Sequence, residues 1–143
     1  MGKLKQYTLA MSCLFVILSS CSEKGISGVG FCGDYAIEDE SRYVSTVSTN
    51  YTIKDVVAAG NCITITISAS GCSGDRWRGT LYFSEQIVET TPNQRSSKLS
   101  LVTNEACLAV IEKSFTFNIG NMRPENEPFM LKLEGLNYPI VIN

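Results

Sequence analysis

Six cysteines, fourteen carboxylates and no histidine set the chemistry open to this 143-residue chain. Without imidazole there is no Ser-His-Asp or Cys-His relay, no His-ligated zinc and no acid-base group titrating near neutrality. Carboxylate pairs remain, because two acids suffice for glycoside hydrolysis, but neither motif nor spacing marks out a pair. Serine offers no G-x-S-x-G elbow and no S-x-x-K motif, and Ser96-Ser97-Lys98 misses the second spacing. Glu38-Asp39-Glu40 is the densest acidic run. A calcium loop alternates its ligands and bends at a glycine, so this run reads as a solvated face. The chain is read as non-catalytic, with no metal and no cofactor. Twelve Lys and Arg against fourteen Asp and Glu give a formal charge of -2 and a pI of about 5.1. That balance provides no field for a phosphate backbone, and nucleic acid is excluded as a partner.

Recognition chemistry concentrates in two loops. Asp75, Arg76 and Trp77 combine a carboxylate, a guanidinium and the single tryptophan, a set suited to stacking on a sugar ring and hydrogen-bonding its hydroxyls. Arg95, at the end of Thr91-Pro92-Asn93-Gln94-Arg95, extends the candidate binding loop. The pattern that follows Trp77 opposes this reading, because Trp77 shares its parity with Leu81 and Phe83 and so belongs to a core face. Asp75 is then a turn residue, and Arg76 and Arg78 are solvated edge charges.

The elements that must position these residues are strands. Ile63, Ile65, Ile67 and Ala69 alternate with Thr64, Thr66 and Ser68, the clearest period of two in the chain. The same alternation runs through Trp77 to Ser84, through Lys98 to Leu101, from Cys107 to Ile119, through Phe129 to Glu134 and from Tyr138 to Ile142. Tyr51, Ile53 and Val57 add a seventh strand, and Tyr43 to Val47 offers one more. Asn104 to Lys113 is rich in helix formers, but its parity continues into Phe115 and Phe117 and reads as strand. Glu125 and Glu127, set among Pro124 and Pro128, read as a charged loop. About seven short strands with no helical period predict an all-β chain, an antiparallel β-sandwich of immunoglobulin-like size over residues 31–143.

Residues 1–20 read as an address. Lys3 and Lys5 precede an apolar run from Leu9 to Leu18, and Ser19 and Ser20 follow, in the order of a secretory signal. The run is about half the ~20 residues a membrane-spanning helix needs. Leu18-Ser19-Ser20-Cys21 resembles the lipobox of bacterial lipoproteins at every position. The resemblance implies that Cys21 carries diacylglycerol on its sulfur, becomes the mature N-terminus and is then N-acylated. The membrane is thereby a partner through several acyl chains, each buried methylene contributing ~0.8 kcal/mol. Ser22 rather than Asp after the cysteine implies the outer membrane by the sorting rule of such lipoproteins, without fixing which face. Residues 21–30 lack any period and read as a tether.

Removal of residues 1–20 leaves ten basic against fourteen acidic side chains, a formal charge of -4. With Cys21 lipidated, Cys32, Cys62, Cys72 and Cys107 remain in an oxidising compartment, which predicts two disulfides. Cys62 and Cys72 flank one extended run of over ~20 Å and cannot meet. Counting strand reversals places Cys72 and Cys107 at one end of the sheet, and Cys32 pairs with Cys62 by elimination.

The segments Gly71 to Arg78, Thr91 to Arg95, Lys98 to Leu101 and Glu105 to Cys107 together resemble a small domain of uncharacterised lipoproteins from Bacteroidetes-type bacteria, over roughly residues 60 to 120. The resemblance implies a class and transfers no catalytic residue. The expected role is that of a membrane-anchored envelope protein that binds or scaffolds an unknown protein or glycan. The alternatives are an inhibitor of a lysozyme or envelope protease, and a glycan-binding accessory protein.

Overall fold

The computed structural model describes residues 32–123 and 127–143. The signal segment, Cys21, the tether, Pro124 and Glu125 lie outside the described residues. In chain order the elements are β1 (Asp34–Tyr35), β2 (Ile37–Glu38), α1 (Glu40–Ser45), β3 (Thr52–Ala59), β4 (Cys62–Gly71) and β5 (Arg78–Val88). They continue with β6 (Asn93–Val102), β7 (Ala109–Asn118), a 3-10 turn (Gly120–Met122), β8 (Phe129–Leu133) and β9 (Ile140–Ile142).

Alternation does here what its period requires. Ile63, Ile65 and Ile67 of β4 point inward and are fully buried, as are Leu81 and Phe83 of β5, Leu99 of β6, and Leu131 and Leu133 of β8. Two sheets close over this core as a β-sandwich: one of four strands in the order β1-β7-β4-β3, and one of five in the order β2-β5-β6-β8-β9. Pairing β4 with β7 in register from Cys62↔Asn118 to Gly71↔Ala109 lays ten residues side by side. The disulfides are Cys32–Cys62 and Cys72–Cys107, with Cα separations of 5.7 and 4.9 Å. They sit at opposite ends of β4, ~30 Å apart at ~3.3 Å per residue.

Five local expectations are corrected. The sheets are mixed rather than antiparallel, because β1 with β7, β2 with β5 and β6 with β8 run parallel. The chain leaves β6, crosses to the other sheet as β7 and returns as β8, a crossover that alternation along a strand cannot reveal. Nine strands are present among the described residues, because β1 and β2 are two-residue segments too short to show a period. Tyr43 to Val47 forms no strand: α1 spans Glu40–Ser45, with the Asp39 carboxylate accepting the Arg42 N–H at 2.8 Å. Strand β7 begins only at Ala109, and Cys107 and the residues before it run irregularly toward the disulfide. A bulge between Ile53 and Asp55 also reverses the parity of β3, so Val56 is half-buried and Val57 is exposed.

Candidate functional site

The loop after β4 is organised by one carboxylate. Oε2 of Glu105 accepts the backbone N–H groups of Cys72, Ser73 and Gly74 at 2.7, 3.1 and 3.0 Å. These convergent donors form a backbone nest for an anion. The Gly74 N–H is the largest cause of a carboxyl pKa lowered to about 2, partial burial opposes it, and the Cys72, Ser73 and Arg76 N–H groups add to the lowering. The Cys72–Cys107 bridge closes the same loop from the other side. Gly71 is required here, because a Cβ would stand 2.6 Å from Cζ2 of Trp77 and 2.7 Å from Oε2 of Glu105. Gly74 turns the chain at a φ of 76°.

Trp77 follows the core reading: it is 1% exposed, and its indole N–H has no hydrogen-bond partner. Its ring is therefore packing, and no face of it is open to a sugar. Asp75 and Arg76 are exposed. The Arg78 guanidinium donates back to the carbonyls of Trp77 at 3.1 Å and Asp75 at 3.4 Å.

Arg95 does not join that loop. Arg78 pairs with Val102 in the ladder, whereas Arg95 pairs with Ile87, so Arg95 lies seven residues along β6, ~23 Å from that end. It is 4% exposed, ion-paired to Glu38, and donates to the Met122 carbonyl at 2.9 Å. Its guanidinium carbon lies 5.5 Å from the centroid of the Phe83 ring. The binding loop proposed from sequence is thus divided between an exposed turn and a buried cation. Parity held the missing signal, because Arg95 is in phase with Ser97, Leu99 and Leu101, all buried.

The acidic run Glu38-Asp39-Glu40 is likewise not a merely solvated face. Glu38 neutralises Arg95, Asp39 caps α1, and Glu40 accepts the Ser84 hydroxyl at 2.6 Å and the Glu85 N–H at 2.9 Å. Three adjacent acids hold three different elements, which charge density alone does not show. Among the described residues, no group of three or more His, Cys, Asp or Glu is arranged to hold a metal.

Among the described residues, the surface hollows include four of note. One of about 500 Å³ lies among Thr91, Pro92, Pro128 and Val141, and one of about 300 Å³ among Asn50, Thr52, Ser70 and Val110. The other two adjoin on the outer face of the five-stranded sheet and share Lys132, with volumes of about 230 and 190 Å³. Of the four, this pair combines aromatic rings with amides and a cation: Tyr138, Gln94 and Asn137 on one side, Tyr43 and Ser96 on the other. Aromatic surface with a few converging polar groups is the usual make-up of a ligand site. None of these residues except as strand or turn members stood out in the sequence. Their signal was the outward parity of Gln94, Ser96 and Lys98, which fixes a face without showing what crosses it.

No family model matches the chain, and no curated protein matches it. Among solved structures, a protein of unknown function, DUF1344, from Bacteroides vulgatus aligns with a TM-score of 0.51 at 14% identity over 76% of this chain. The chain spans about half of that structure, 55% of its length. At that identity the likeness concerns the fold, and the chain is accordingly an all-β sandwich that resembles a Bacteroides protein of unknown function.

Proposed function

We propose that this protein is a lipid-anchored module of the bacterial cell envelope, held through Cys21 and acting by binding rather than by catalysis. The observation that carries the reading is the quartet Leu18-Ser19-Ser20-Cys21 behind a basic and apolar leader. The architecture is compatible with it: Cys32 follows Cys21 by eleven residues and is bridged to Cys62, so the tether ends on a long central strand. A chain of that length reaches at most ~40 Å. The Cys72–Cys107 bridge lies at the opposite end of β4 from the bridge on which the tether arrives. Outer-membrane location is part of the proposal, on the strength of Ser22 after the lipidated cysteine.

The test is metabolic labelling of the full chain with an alkynyl fatty acid in a two-membrane bacterium, followed by fractionation. The wild-type chain takes up label and sediments with membranes, and Cys21→Ala loses both. Retention of label by Cys21→Ala overturns the anchor. Protease shaving of intact cells, with a periplasmic protein as control, then assigns the face of the membrane.

A further inference from the structure

The outer face of the five-stranded sheet carries a charge without an ion-pair partner among the described residues, on β8 next to the β9 edge. Lys132 on β8 stands beside Ser96 on β6 and borders both adjoining hollows. The neighbouring charges are already committed: Lys98 pairs with Glu134 at 3.1 Å and lies 4.9 Å from the Tyr43 ring centroid. Glu134 also accepts the Ser48 hydroxyl, and these donors hold its carboxyl below the usual carboxylate range. Lys132 is exposed and has no ion-pair partner among the described residues. Tyr138, 58% exposed, borders the hollow on one side of it, together with the amides of Gln94 and Asn137.

We propose that this face binds an acidic saccharide, a sugar bearing a carboxylate or sulfate group. The anionic group pairs with the Lys132 ammonium, a compact point charge with three donors. Tyr138 stacks on the C–H face of the ring, and Gln94 and Asn137 meet its hydroxyls, since each amide both donates and accepts. The charge of the whole mature chain, -4, argues that attraction to such a ligand is local to this face. At physiological salt, charges more than ~8 Å away are largely screened, so a local contact survives the unfavourable net field. The inference rests on the reading of the domain as a binding module and is independent of the lipid anchor.

Affinity electrophoresis of the full chain in detergent tests it, in native gels holding immobilised polygalacturonate, dextran sulfate or unmodified dextran. Retardation by polygalacturonate or dextran sulfate, and not by dextran, is expected; which of the two retards more identifies carboxylate or sulfate as the anion. Lys132→Met weakens retardation about tenfold, Tyr138→Ala weakens it about fivefold, and Lys54→Met, an exposed lysine on β3, leaves it unchanged. Because Lys132 and Tyr138 are exposed, both variants keep the circular dichroism and urea midpoint of the parent. Cys21→Ala retains full retardation, so failure of the anchor and failure of the binding face give different results. No retardation by either acidic polymer, equal retardation by dextran, or wild-type retardation of Lys132→Met overturns the proposal.

Discussion

Truncation of Trp77 separates packing from recognition more sharply than any other change. The side chain is 1% exposed and is the only tryptophan, so it removes about 230 Å² from water, worth about 5 to 6 kcal/mol at ~25 cal/mol per Å². A denatured chain that is already partly compact lowers this by roughly 10–40%, to about 4 kcal/mol. That figure agrees with the ~3–5 kcal/mol measured for aromatic truncations in cores. With a urea slope of about 1.5 kcal/mol per M for a domain of this size, Trp77→Ala lowers the midpoint by about 2–3 M. Trp77→Phe loses volume but no hydrogen bond, because the indole N–H has no partner, and costs about 1–2 kcal/mol. The assay is urea unfolding followed by far-ultraviolet circular dichroism with both disulfides intact, alongside acrylamide quenching of the single tryptophan in the parent. A Trp77→Ala midpoint within about 0.3 M of the parent, or a tryptophan quenched as readily as free indole, refutes the core assignment.

Two further predictions concern charges whose partners the tertiary structure supplies. Glu105 has a folded pKa of about 2, below its ordinary 4.5, so its stabilisation is complete above the ordinary value and disappears as pH falls through the lower one. Urea midpoints of the parent and Glu105→Gln therefore differ at neutral pH and converge toward about pH 2; a constant gap across that range refutes the nest as the cause. Glu38→Gln leaves the buried Arg95 guanidinium without its counter-charge. Loss of one partner of a buried pair costs ~3–5 kcal/mol, and because the Glu38 side chain is 44% exposed the expected loss is about 2 kcal/mol. Arg95→Met, which removes the buried charge itself, is the less costly change in the same thermal or urea measurement, and the reverse order refutes the pairing.

Much of the sandwich was legible because burial imposes a period of two on a long strand wherever its ladder is regular. Ile63, Ile65 and Ile67, and likewise Leu131 and Leu133, announced their inward face in the residues themselves. The disulfide pairing was also legible, since an extended run between Cys62 and Cys72 forbids their union and counting reversals brings Cys72 to Cys107. Alternation failed where the element was short or the ladder irregular. Strands β1 and β2 have two residues each, α1 has six, and the bulge in β3 shifts parity inside a single strand.

The amino-acid sequence by itself determined which chemistries are closed to this protein, because a chain without histidine has no imidazole to place anywhere. It also determined the inward residues of the long strands whose ladders are regular, because phase along such a strand is a local property. Tertiary structure alone decided the strand neighbours and the three parallel pairings. It separated Arg95 from Asp75 and Arg76, distributed Glu38, Asp39 and Glu40 among three partners, and brought Tyr43, Ser96, Lys132 and Tyr138 to one face. Apart from the Asp39 cap, which reaches only to Arg42, those relations depend on what distant strands bring together, and their energies come from desolvation and pairing across strands, which no local pattern encodes.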